Sequence, residues 1–203
     1  MSCSTAPPTG PLLNLGLECP EGSFDDSIPC DLMNFASVRT AAAAIKEKYG
    51  ASGISVLCCK AGIMAFADEA TTECYDVQMQ TNHLSHFLLV KELMPLLDTA
   101  AEKCGEALIV NHSSMARMGI NLDAKYMERN CGNLGGDGSS MFCGGARWVR
   151  YSQTKMANAI FTHAIKKRLH AKDSKVCVLT AAPGLATTNL QVTTVGQGVL
   201  LRW

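Results

Sequence analysis

Tyr151 and Lys155 stand four residues apart in Tyr-Ser-Gln-Thr-Lys, at the start of a predicted helix. Helix residues at that spacing share one face. An ammonium held beside a phenol favours the phenolate and draws the tyrosine pKa toward neutrality. Such a tyrosine can give or take a proton at a carbonyl or alcohol oxygen. Ser114 follows a predicted strand and is placed to hydrogen-bond the same oxygen. Taken alone, Tyr-x-x-x-Lys reads first as a surface i,i+4 pair. Its weight comes from the order in which strand, Ser114, loop, Tyr151-x-x-x-Lys155 helix, strand and Pro183-Gly184 follow one another.

The elements around these residues are legible. Phe35 to Tyr49 is rich in helix formers, with Asp31 or Asn34 as candidate N-cap and Gly50 as C-terminal cap. Gly53–Cys59, Ala107–Val110 and Lys175–Thr180 read as short buried strands. Tyr75 to about Leu97 and Val149 to Leu169 read as helices, and Leu12 to Leu17 as a possible short strand. Strands that are apolar on both faces and alternate with helices predict an α/β fold, a doubly wound parallel sheet covered on both sides. Such sheets bind ligands beyond the carboxyl ends of their strands. The polar clusters Lys60-Ala61-Gly62, Ser113-Ser114 and Pro183-Gly184 sit at those ends. Residues 115–148 form a long insert, with six glycines between 131 and 145, read as a loose loop rather than a lid.

In this order the motifs resemble those of the short-chain dehydrogenase/reductase family. Cys59-Lys60-Ala61-Gly62 stands where the family has Asn-Asn-Ala-Gly. Asn82-His-Leu-Ser85 stands where it has Asn-x-x-Gly, and Pro183-Gly184-Leu-Ala-Thr-Thr188 resembles its Pro-Gly-x-x-x-Thr loop over the nicotinamide. Asp31-Leu32 resembles its acidic residue near the adenine. The wording around Asn82 and Tyr151 is most similar to the retinol dehydrogenase and protochlorophyllide reductase-like branch. The resemblance spans about residues 28–190. It implies a Rossmann-like fold and a catalytic set of Asn82, Ser114, Tyr151 and Lys155. It implies cofactor contacts at Asp31, Lys60, Ala61, Gly62, Tyr151, Lys155, Pro183, Gly184 and Thr188. Tyr151 is then the general acid or base, Lys155 lowers its pKa and holds the nicotinamide ribose, Ser114 orients the substrate, and Asn82 supports a water-linked relay to Lys155. The implied cofactor is NADP(H) ahead of NAD(H), and the substrate an apolar small molecule with a carbonyl or alcohol.

The two ends depart from the family. Thr9-Gly10-Pro-Leu-Leu-Asn-Leu-Gly16 has neither the spacing nor the following helix of a phosphate-binding glycine turn. Only 30 residues precede Asp31 and only 19 follow Gly184. The reading is one partial domain over 1–203, irregular over 1–27, with the first βα unit and the C-terminal substrate region incomplete. Lys60 replaces a family asparagine. The second reading is a catalytically silent family remnant acting as a binding or oligomerisation module.

Composition removes other classes. The 18 basic and 18 acidic side chains cancel, so no basic field is available to bind nucleic acid. At 47% hydrophobic residues the chain is not extensively disordered. No apolar run approaches the roughly 18 residues of a membrane span. The ten cysteines include no C-x-x-C pair, and they read as reduced thiols of an intracellular, cytoplasmic protein, with an organelle as the other reading. Cys30, Cys58, Cys59 and Cys177 read as small hydrophobes. No metal site is expected, and His83 and His86 read as helix residues rather than ligands. Gly135-Gly-Asp-Gly138 lacks the strand and helix of a phosphate turn. The sequon at Asn111 sits at a buried strand end. A homo-oligomer covering exposed sheet edges is a possible partner state.

Overall fold

A computed structural model describes residues 27–138, 145–182 and 184. Its order is α1 (Phe35–Tyr49), β1 (Val56–Cys59), α2 (Val77–Met79), a π-helical turn (Gln80–Leu84), α3 (Ser85–Cys104), β2 (Ala107–His112), α4 (Ala146–His170) and β3 (Val176–Ala181). The three strands form one parallel sheet in the order β1-β2-β3, with Val56 opposite Leu108 and Leu108 opposite Cys177.

Both crossovers between neighbouring strands carry a long helix. Right-handed crossovers in one direction set both helices on the same face. Strand alternation turns Leu57, Cys59, Ala107, Ile109, Val176 and Val178 onto that face, where they join Val38, Leu93, Leu97 and Ala101 in the main core. The opposite face carries Val56, Cys58, Cys177 and Leu179, with Val56 46% and Leu179 52% exposed. No helix among the described residues packs on it. Cys58 and Cys177 are therefore not the buried hydrophobes expected from their apolar runs. Cys30 and Cys59 are buried, and burial pushes the Cys59 thiol up to about 12.

The helix ends follow local chemistry. Asn34 caps α1, its side chain accepting from the amides of Ala36 at 2.8 Å and Ser37 at 3.2 Å. Gly50 keeps right-handed φ, so it is not the left-handed cap expected. Gly53 takes that part at φ 77°: its amide closes on Tyr49 O at 2.8 Å, and a Cβ there would lie 2.6 Å from Ala100 N and Leu96 O. α3 runs past the expected end near Leu97 to a left-handed Gly105, with Pro95 inside it. No helix among the described residues is long and apolar enough to cross a membrane.

The insert after Ser114 is not a loose loop over its described part. It holds 3-10 turns at Met115–Arg117 and Ala124–Met127. Asp68 accepts from the amides of Leu134 at 3.0 Å and Gly136 at 2.6 Å, and Arg150 donates to the carbonyls of Leu134 at 3.3 Å and Gly136 at 2.9 Å.

Candidate active site

α4 presents its polar face to the sheet. Tyr151, Thr154, Lys155, Asn158 and Thr162, at helical spacing, are all buried. Each is used. Thr162 Oγ1 accepts from Asn111 Nδ2 at 2.9 Å, which explains why the sequon asparagine is a packing residue. Ser113 Oγ donates to Lys155 O at 2.7 Å, joining the end of β2 to α4.

Asn82 lies in the π-helical turn, where the widened helix carries a buried side chain toward the end of β1. Its amide bridges the backbone of Ile63: Ile63 N donates to Oδ1 at 2.7 Å, and Nδ2 donates to Ile63 O at 2.8 Å and to Thr154 Oγ1 at 3.1 Å. Gly62 sits where a Cβ would fall 2.8 Å from Asn82 Oδ1 and 3.7 Å from Lys155 Nζ. Ser114, just beyond β2, lies near enough to Tyr151 to act on its phenol. The Lys155 ammonium lies 5.4 Å from the Tyr151 ring centroid and donates one long bond, 3.4 Å, to His112 O. Asn82, Ser114, Tyr151, Lys155 and Gly62 are thus brought together beyond the carboxyl ends of β1 and β2. Ala61 packs against the core and Lys60 is exposed.

Electrostatics at the pair differ from the expectation. Burial pushes Tyr151 above its usual range, and the neighbouring Ser114 hydroxyl opposes that. Burial also brings Lys155 down to about 8. The ammonium stands over the phenol ring, and no lowering of Tyr151 by Lys155 is seen.

Other expected contacts are dispersed. Asp31 is exposed and accepts from Met33 N at 2.9 Å, shaping the turn before α1. Gly184 follows β3, exposed, at φ 74°. Pro183, Thr188, the Thr9–Gly16 stretch and Leu12–Leu17 lie outside the described residues.

Asn158 was not singled out in the sequence. Its Nδ2 donates to Asn82 O and His112 O, each at 3.0 Å, and Oδ1 accepts from His83 Nδ1 at 2.8 Å. The signal is its spacing, three residues after Lys155 and seven after Tyr151. Arg150 had no such signal. Its partners Phe66, Asp68 and Asp76 lie far back in the chain.

Asn82→Ala removes the partner of both backbone groups of Ile63, and leaving them unpaired should cost about 2 kcal/mol. Denaturant unfolding checks this; a loss under about 0.5 kcal/mol contradicts the bridging role.

The histidines set an acid limit. Burial holds His86 down at about 4, burial and then Lys155 hold His112 down at about 4, and burial lowers His83. An unfolded histidine titrates near 6.5. Between 6.5 and 4 the unfolded chain binds more of these protons, so stability falls as pH drops through that window. Asp76 runs the other way. Burial outweighs its cap bond and Arg150 and holds it up at about 6, so it protonates earlier in the folded chain. Three histidines outweigh one carboxyl. Denaturant midpoints should fall from pH 6.5 to 4, with about 3 kcal/mol from His86 alone. His86→Gln should flatten the slope; an unaltered slope contradicts the assignment.

Comparison with known proteins agrees with this geometry. The short chain dehydrogenase family profile matches residues 18–127. An uncharacterised oxidoreductase of Schizosaccharomyces pombe is 32% identical over 162 residues, covering 79% of this chain and 44% of that protein. Human retinol dehydrogenase 14 is 31% identical over 160 residues, covering 78% and 42%. The chain therefore spans under half the length of these relatives. Among solved structures, an uncharacterised protein from Mycobacterium paratuberculosis matches with TM-score 0.61 at 32% identity, covering 81% of this chain and 52% of that one. The NADPH-bound carbonyl reductase from chicken fatty liver shares the fold, with TM-score 0.54 at 23% identity, covering 77% and 56%. Profile, relatives and Rossmann-like parallel sheet agree: the chain belongs to the short chain dehydrogenase family.

Proposed function

We propose that the site interconverts a carbonyl and the corresponding alcohol of an apolar small molecule, with Tyr151 moving the proton at the substrate oxygen. The observation that carries this is a buried Tyr151 with the buried Lys155 ammonium 5.4 Å from its ring centroid, and Ser114 near enough to act on the phenol. A nicotinamide dinucleotide, NADP(H) ahead of NAD(H), supplies or accepts the hydride when bound.

The residues fit the nicotinamide-ribose half of such a cofactor. Gly62 keeps the end of β1 free of a side chain against Asn82 and Lys155. The Lys155 ammonium has three donors and one long bond among the described residues. It has donors to spare for ribose hydroxyls. The preference for NADP(H) rests on the likeness to the retinol dehydrogenase branch.

In reduction Tyr151 gives its proton to the developing alkoxide; in oxidation it takes the proton back. Ser114 donates to the same oxygen and holds it in line with the phenol. Burial of Tyr151 excludes competing water and favours its protonated form, which suits reduction. Asn82 and Asn158 hold the backbone around Lys155. The apolar side of the site is formed by Trp148, Ala65 and Met64 against Tyr151, with Met115 and Met118 on the turn after Ser114, 64% and 66% exposed. This composition favours an apolar substrate.

Cofactor absorbance with NADPH and an apolar aldehyde such as retinal tests the reading. Turnover with NADPH exceeding that with NADH is expected. A folded chain that turns over neither cofactor with any of a panel of apolar aldehydes and alcohols favours the silent binding-module reading.

A further inference from the structure

We propose that Cys74 and Cys131 form a reversible disulfide, a redox modification site outside the candidate active site. Cys74 lies in the turn before α2, and Cys131 in the insert after Ser114. Cys131 N donates to Cys74 O at 3.0 Å. One backbone bond of that kind holds the two Cα atoms about 5–6 Å apart, inside the roughly 4.4–6.8 Å a disulfide spans. The two side chains are near enough to act on each other's titration.

The backbone on both sides holds them there. Gly132 lies so close that a Cβ would meet Ala70 N at 3.0 Å and Glu69 C at 3.1 Å. Asp68 binds the amides of Leu134 and Gly136. Cys74 and Cys131 both have left-handed backbone, φ 63° and 54°, a conformation uncommon for cysteine. Cys74 and burial hold the Cys131 thiol above its usual range, and the Arg129 guanidinium, 5.6 Å from the ring centroid of Tyr75 next to Cys74, opposes them as a nearby positive charge. Cys131 is exposed and Cys74 half-buried, so a small disulfide reagent can reach the pair.

The oxidant is a low-molecular-weight disulfide such as oxidised glutathione. One protein thiolate attacks it, forming a mixed disulfide and releasing one glutathione thiolate. The second protein thiolate then attacks the protein sulfur of that bond and releases the other glutathione. Two protein thiols are oxidised, one glutathione disulfide is reduced to two thiols, and the two protons end on the released glutathione. The bond would tie the insert to the turn that carries Asp76.

The test is to equilibrate the full chain in glutathione buffers of graded ratio, quench with acid, alkylate and map peptides by mass spectrometry without reduction. A Cys74–Cys131 linked peptide is expected at an oxidised glutathione level about tenfold below that which modifies exposed Cys58 or Cys104. On oxidation the thermal midpoint should rise, and dithiothreitol should return it. Cys131→Ser should leave Cys74 as the glutathione adduct and abolish the shift. A chain shown folded by circular dichroism that yields both cysteines alkylated or separately glutathionylated, with no linked peptide, overturns the proposal. None of these readouts depends on catalysis.

Discussion

Tyr151→Phe is expected to cut turnover by about 10³-fold while leaving stability within about 1 kcal/mol. The substitution removes one oxygen from a ring that stays packed edge-on against Trp148, 6.1 Å between centroids. What is lost is the proton donor at the substrate oxygen. Ser114 cannot replace it, because an unperturbed hydroxyl is a far weaker acid than a phenol. The Lys155 ammonium lies 5.4 Å from the ring centroid and hydrogen-bonds to His112 O rather than to the phenol among the described residues. The pH profile adds a second check. Lys155 carries its proton below about 8 and loses it above. Reductive turnover should therefore fall as pH rises through that value. Unchanged turnover in the phenylalanine variant removes Tyr151 from the mechanism.

Arg150→Met should be the most destabilising single substitution at the site's margin, by about 3–5 kcal/mol. The guanidinium is fully buried, 0% exposed. It faces Asp76 at 3.3 Å, Asp68 at 3.6 Å and Asp137 at 3.7 Å, and donates to Phe66 O at 3.1 Å and to two carbonyls of the insert. Methionine keeps the volume of the stem and strands the buried carboxylates of Asp68 and Asp76. Asp76 also caps α2, accepting from Met79 N at 2.8 Å, so the loss reaches the π-helical turn that positions Asn82. Arg150 Nε and Asp76 Oδ2 are 3.3 Å apart but not aligned for a hydrogen bond, and neither atom has a hydrogen-bond partner among the described residues. The pair is a charge contact, and its worth lies in neutralisation. Arg150→Lys should lose an intermediate amount, since a point charge cannot reach carboxylates and carbonyls on several sides. Asp137→Asn, at a half-exposed rim, should cost under about 1 kcal/mol. Urea unfolding orders the three; Arg150→Met at the level of Asp137→Asn contradicts the account.

The strand–helix alternation and the helix of Tyr151 and Lys155 were legible because each rests on local pattern. Apolar runs of four to six residues ended by polar clusters mark β1, β2 and β3. Tyr151 and Lys155 announce themselves by spacing. What stayed hidden depends on partners distant in the chain. Asp68 and Arg150 convert a glycine-rich stretch, which looks loose in isolation, into an anchored segment. Gly50 and Gly53 both follow α1, and only packing against α3 decides that Gly53 is the one required. Cys58 and Cys177 look like core residues until the sheet turns them to the face away from the described helices. The direction at Tyr151 is hidden for a similar reason: a spacing places Lys155 near the ring, and only three dimensions show that burial raises the phenol.

The central claim is that the Lys155 end of the sheet holds a nicotinamide cofactor. Calorimetric titration of the full chain with NADPH and then NADH, beside Lys155→Met, tests it most directly. The account predicts saturable binding near micromolar, roughly −8 kcal/mol, stronger for NADPH and weakened about tenfold or more in the variant. Binding that Lys155→Met leaves unchanged, or no binding by a chain that is folded, contradicts it.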